Sequence, residues 1–289
     1  MLNMPLVHLE YFEDGVTAFV SAQIKPNFQV KDSSLASLNL EEQRKEYIRQ
    51  INVCAQSLFK NFTLSSLALR YIYVPSAVDE KSQFVIACLL RSDGKDKNQA
   101  IQRIRQSWNV YVSAFPHKLY SLIPITDKQE FTAVYQPVDP NEAAIIEIRK
   151  FEDVVPTKYV AAGEYYYSVK PISSPYTSIE DALKFVGRQK VPLVINICFH
   201  PTYLNEEEKY VISQITGELH KFASGFSVGL YGGQTVFEPD VNAEICLRRY
   251  ISLLENSNSL AQFRVQVISS DRIPNEIVTS VARTLCHNY

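Results

Sequence analysis

Apolar and polar positions alternate at the start of the chain. Residues 6–12 and 16–24 read as two strands joined by Glu13-Asp14-Gly15, a turn whose glycine is free to take a positive φ. Leu40, Tyr47, Ile48, Ile51, Cys54, Ala55 and Leu58 then recur at helical spacing and predict a long amphipathic helix over 40–59. Residues 67–74 and 84–90 predict strands, separated by Pro75 and a polar Asp79-Glu80-Lys81 turn. A second amphipathic helix is predicted over 96–115 from Ala100, Ile101, Ile104, Trp108, Tyr111 and Val112. It stops at Phe115-Pro116, because proline disfavours helix in the residue before it. A short apolar piece at 119–123 follows, and then a stretch holding Pro124, Pro137 and Pro140, which interrupt helices and ladders alike. That stretch predicts a boundary near Asp139, with an N-terminal half over 1–139 and a C-terminal half over 140–289.

The second half predicts strands at 143–148 and 164–169, a short helix over 178–188 and a strongly apolar strand at 191–199. Asn205 followed by Glu208 has the form of a capping box, opening a helix in which Val211, Ile215, Leu219 and Phe222 share a face. Residues 225–233 read as a glycine-rich connection, 241–254 as helix, 263–268 as strand, and 275–285 as a helix with Ile277, Val281 and Leu285 on one face. Gln83-Phe84 opens a strand that ends at Ser92-Asp93 before a helix, and Gln262-Phe263 opens one that ends at Ser270-Asp271 before another. The expected fold class is α+β. Two mixed halves carry antiparallel or mixed sheets with amphipathic helices packed on them, a pattern compatible with a degenerate duplication.

Composition narrows the function classes. A chain of 289 residues that is 46% hydrophobic has material for a large core. Its 29 Lys and Arg nearly balance 31 Asp and Glu, so no global field draws it to nucleic acid or an anionic membrane. The N-terminus meets His8 and Glu10 before an apolar signal region forms, and no apolar run reaches the ~18 residues of a membrane helix, so a cytoplasmic location without membrane insertion is expected. Cys54, Cys88, Cys198, Cys246 and Cys286 are odd in number and widely spaced, which fits reduced thiols. In that compartment the sequon Asn61-Phe62-Thr63 has no glycosylation meaning.

The chain holds no P-loop string, and Gly229-Leu230-Tyr231-Gly232-Gly233 lacks both the lysine and the strand-to-helix setting of a nucleotide loop. Cys198 and His200 share a strand face, yet two ligands make no zinc site, and His8, His117, His220 and His287 have no catalytic context. Glu206-Glu207-Glu208 suits the positive end of a helix dipole better than paired-acid chemistry. No catalytic, cofactor or metal residue is therefore expected. Arg91, Lys95, Lys97, Arg103 and Arg105 form the densest basic cluster and are candidates for phosphate contact, with a solvated helix face as the competing explanation. Tyr165, Tyr166 and Tyr167 are candidates for an interface. Tyr165 and Tyr167 would lie on one strand face and Tyr166 on the other, as a half-buried strand would also arrange them.

Two stretches resemble a known group. Val191-Pro192-Leu193-Val194-Ile195-Asn196-Ile197, with His200-Pro201-Thr202 and Leu204 before the Glu206 helix, and the closing Phe263-Arg264-Val265-Gln266-Val267 strand with its Ile277, Val281 and Leu285 helix, are similar to the region ahead of the motor in HerA-like and VirB4-like hexameric ATPases. The resemblance covers about a third of the chain, and the absence of Walker motifs carries no catalytic residue across. It implies a non-catalytic assembly or recruitment module, binding copies of itself or an ATPase subunit or domain. The competing readings are an enzyme whose site converges from distant segments such as His200, Glu164 and Asp240, and a nucleic-acid adaptor using the Arg91 to Arg105 cluster.

Overall fold

A computed structural model describes residues 3–27, 65–75, 82–149, 153–168, 180–230, 233–258 and 260–285, together with part of 39–57. Its elements run β1 (His8–Phe12), β2 (Gly15–Pro26), β3 (Ser65–Val74), β4 (Gln83–Gly94), α1 (Lys97–Ala114), β5 (Tyr120–Pro124), α2 (Lys128–Tyr135) and β6 (Ala144–Ile148). The chain continues through β7 (Asp153–Pro156), β8 (Tyr165–Ser168), α3 (Glu180–Val186), β9 (Leu193–Thr202), α4 (Glu206–Ser224), β10 (Phe226–Leu230), β11 (Gly233–Phe237), α5 (Val241–Glu255), β12 (Leu260–Ser269) and α6 (Asn275–Leu285). The described residues between Glu41 and Ser57 are helical, as their periodicity predicts. The fold is α+β, built on antiparallel pairings.

Two compact units form. The larger takes residues 1–149, 176–202 and 261–284, and the smaller takes 150–175, 203–260 and 285–289. Cutting the chain into successive halves at Asp139 follows neither unit, because hydrogen bonding overrides the proline signal. β6, β9 and β12 join the sheet of the first five strands, in the order β1-β2-β4-β3-β9-β12-β6 with β5 pairing further along β2. The seam is the β3–β9 ladder, from Leu67 opposite Phe199 to Tyr73 opposite Leu193. The stretch expected to hold the boundary is itself structured. Pro124 pairs with Ala22 at the edge of the sheet, where its missing N–H costs no ladder bond, and the Asp127 carboxylate accepts from the Gln129 and Glu130 amides to start α2.

The strand order repeats. Strands β2, β3 and β4 lie in the order β2-β4-β3 and strands β6, β9 and β12 in the order β6-β12-β9, so β3 and β9 meet at the centre. Each set carries helical residues between its first and second strands and a helix after its third, α1 in one and α6 in the other. The paired Gln-Phe and Ser-Asp echoes therefore fall on equivalent strands, β4 and β12. Both long insertions, 150–175 and 203–260, interrupt the second set and fold together as the smaller unit.

Side-chain alternation assigns the two sheet faces of the larger unit. On one, Val16, Ala18, Val20, Ala22, Cys88 and Leu90 pack with Ala100, Ile104, Trp108 and Tyr111 of α1, the larger side chains such as Val20, Leu90 and Ile104 each contributing roughly 2 kcal/mol of transfer free energy. On the other, Phe19, Ile72, Ala87 and Val194 are covered by Phe131 and Val134 of α2, helped by Ile125.

In the smaller unit, α4 opens with the expected capping box at Asn205 and Glu208. Its inward face is Ile212, Ile215, Leu219 and Phe222, whereas Val211 points to solvent. The glycine-rich stretch is a hairpin: Leu230 pairs with Gly233, Gly229 with Gln234, and the Phe226 and Phe237 rings stack across the strands at 4.5 Å. Gly225 (φ +73°) is required there, since a Cβ would lie 2.7 Å from the Phe237 carbonyl oxygen.

Candidate functional site

β7 and β8 form a two-stranded ribbon in which Val154 pairs with Tyr167, Val155 with Tyr166 and Pro156 with Tyr165. The period of two splits the tyrosines as the sequence predicts. Tyr166 is buried among Leu219, Ala243, Cys246 and Tyr250 of α4 and α5. Its hydroxyl donates to Asp240 Oδ2 at 3.1 Å, and burial together with this carboxylate raises its pKa. Tyr165 and Tyr167 are 49% and 56% exposed on the outer face beside the exposed Val154, an apolar patch with two phenol groups. The Tyr250 hydroxyl donates to the Tyr167 carbonyl at 3.1 Å and fixes the ribbon on α5. Val241, Ile245 and Ile251 add exposed apolar side chains on the outer face of α5. In the sequence Val241 and Ile245 show only as an i, i+4 apolar pair, on a helix whose main apolar stripe packs inward.

The basic cluster does not converge. Arg91 donates to Asp93 Oδ1 at 3.1 and 3.2 Å, and Arg103 donates to the Asp93 carbonyl, so both guanidinium groups are engaged at the end of β4. Lys95, Lys97 and Arg105 are exposed, and Arg91 stands on the α2 side of the sheet while α1 packs on the other.

The acids and histidine considered for a hidden active site have separate settings. His200 is exposed at the end of β9 in the larger unit, and Glu164 is exposed before β8 in the smaller one. Asp240 is buried and accepts from the Lys158 amide, the Asn242 amide and the Tyr166 hydroxyl, so its oxygens cap α5 and anchor the ribbon. Among the described residues no group of three His, Cys, Asp or Glu side chains has metal-binding geometry. Two shallow depressions of about 320 and 330 Å³ lie at the C-terminal end of α1, around Phe115 and His117 and around Asn109 and Ser113. Neither gathers an acid with a base.

A polar cluster that sequence reasoning missed occupies the α2 face of the sheet. Arg70, Asn196 and Cys198 stand there on β3 and β9, next to Gln266 on β12. Burial pushes the Cys198 thiol up, partly offset by the Asn196 amide and by the charges of Arg70, Arg264 and Arg91. Burial lowers the Arg70 pKa. The signal available in sequence is a charged residue in the middle of an otherwise apolar strand.

The sequence matches no protein-family model and no curated protein. No helix among the described residues is long and apolar enough to cross a membrane.

Proposed function

We propose that this chain is a non-catalytic assembly or recruitment module, working with an ATPase of the HerA-like or VirB4-like kind, and that the smaller unit carries its partner surface. The observation behind this reading is where the exposed apolar side chains lie. Of nineteen large hydrophobic residues exposed among the described residues, eleven belong to the smaller unit, which makes up less than a third of the chain. Isolated exposed apolar residues are ordinary on a protein surface. A concentration of them on elements inserted into a repeated scaffold favours an interface. The Tyr165 and Tyr167 phenols add the aromatic, hydrogen-bonding character that interface centres favour.

The test is mass in solution by light scattering over a concentration series, with and without a purified hexameric ATPase core of this kind. A defined oligomer or a complex with the core is expected, weakened at least tenfold by Tyr165→Glu with Tyr167→Glu. A strict monomer that leaves the ATPase core unbound rejects the reading. Salt-sensitive binding to nucleic acid, abolished by neutralising Lys95, Lys97 and Arg105, would move the function to the adaptor class.

A further inference from the structure

We propose that two copies of this chain pair through the outer edge of β6, strand to strand and antiparallel, about a two-fold axis at Ile146. β6 stands at one end of the sheet and, among the described residues, is hydrogen-bonded to β12 alone. Its other side presents the backbone N–H and C=O groups of an edge strand, which accept a further strand of matching pattern.

The repeat within the sheet defines what fits there. β2 holds in the first set the place that β6 holds in the second. The far side of β2 is taken by β1, a strand of five residues paired antiparallel, from His8 opposite Phe19 to Phe12 opposite Gly15. The same place beside β6 calls for another short antiparallel strand. Ala144, Ile146 and Ile148 share a face with the buried Val265 and Val267, while Ile145 and Glu147 lie on the opposite face with Ile268 and Gln266. A strand that continues this sheet must therefore be apolar at alternate positions. β6 itself, Ala-Ile-Ile-Glu-Ile, has that pattern.

Charge and strand length select the register. In a continuous sheet, opposed residues point to the same face, so the two-fold axis falls beside a residue rather than between two. An axis at Glu147 sets two carboxylates directly against each other, which is unfavourable. An axis at Ile145 pairs only Ala144, Ile145 and Ile146. The axis at Ile146 pairs the whole strand: Ile148 meets the small Ala144, Ile145 meets Glu147, and Ile146 meets its own counterpart. The two Glu147 carboxylates then stand two rungs apart, each beside Arg149 at 2.7 Å and Arg264 at 3.8 Å of its own chain. Ile145, 57% exposed in the single chain, gains a flanking neighbour. This contact is isologous and closes as a dimer, whereas β6 set against the β1 edge of another copy would leave a free edge at each end and grow into a filament.

β6 belongs to the larger unit, and the contact does not rest on the tyrosine surface of the smaller one. Sedimentation of the full chain over a concentration series tests it, and a dimer is expected. Ile145→Glu sets a second carboxylate opposite Glu147 of the other copy and is expected to weaken the dimer about tenfold or more. Ile145→Lys sets an ammonium group there and is expected to keep or tighten it. Ile145 is exposed, so both variants retain the fold, which circular dichroism checks. Ile146→Cys is expected to give a disulfide-linked dimer on treatment with diamide, because Cα atoms across the axis lie about 4.5–5.5 Å apart. The wild-type chain and Ile145→Cys are expected to give none. A wild-type monomer at every concentration, filaments in place of a dimer, an equal response to the two Ile145 charges, or no Ile146→Cys crosslink overturns the proposal. A dimer lost on Tyr165→Glu with Tyr167→Glu but not on Ile145→Glu also overturns it, and leaves the smaller unit as the interface.

Discussion

Arg70 sits where a strand alternating toward a buried face calls for an apolar side chain. Its aliphatic stem packs on the sheet while its head reaches the end of α2, so one side chain serves both a strand and a helix. Arg70→Met fills the site but orphans the Val134 and Tyr135 carbonyls, and is expected to lower stability by about 2 kcal/mol in urea unfolding. Cys88 gives a second residue-scale prediction. Full burial pushes its thiol up to about 12 from an ordinary value of 9.0. The folded pKa exceeds the unfolded one, so the protonated thiol's contribution is complete below pH 9 and is lost as pH rises from 9 toward 12. Within that window the loss approaches about 1.4 kcal/mol per pH unit. Denaturation at pH 8 and pH 10.5 should show the decline, and Cys88→Ala should make it shallower. The burial of Cys88 was legible in its apolar run. The role of Arg70 was not, because its partners lie more than sixty positions away on a helix that the local pattern does not announce.

Elements with strong local signals came through with near-correct bounds. The α1 pattern of Ala100, Ile104, Trp108 and Tyr111 is the buried stripe, and the Asn205 and Glu208 box starts α4. Two elements hid behind breakers. α2 lies between Pro124 and Pro137, too short for periodicity to stand out, and its seating depends on Phe131 and Val134 meeting a distant sheet. The β10–β11 hairpin lies behind glycines that suggest a loop, and it is fixed by the cross-strand Phe226–Phe237 stack. Gly94, at the end of β4, tests how closely α1 approaches the sheet. A Cβ there would come within 2.5 Å of the Ala100 amide nitrogen and 2.9 Å of its Cα, both backbone atoms of α1. Gly94→Ala is therefore expected to cost about 2 kcal/mol and to lower Tm by several degrees in a calorimetric scan.

At the scale of the whole molecule, the echo between β4 and β12 was visible in the sequence, but the architecture it belongs to was not. A proline-rich stretch looks the same between two domains and between two strands of one sheet. Only the β3–β9 pairing distinguishes them, and it is a long-range contact with no local mark. The Tyr165 to Tyr167 alternation was legible because a strand fixes it locally. The smaller unit that presents it was not, because its parts are separated by 27 residues of the larger unit.

The central seam also bears on the growing polypeptide. β3 ends at Val74 and its partner β9 begins at Leu193, so on a translating ribosome the first set of strands is complete while one edge, including Leu67, Leu69 and Tyr71, still lacks its neighbour. At ordinary elongation speeds that edge waits roughly 6–24 s for β9 to be made. Throughout that interval the nascent chain offers a long apolar strand to any other extended segment nearby, which makes it a natural client for ribosome-associated chaperones.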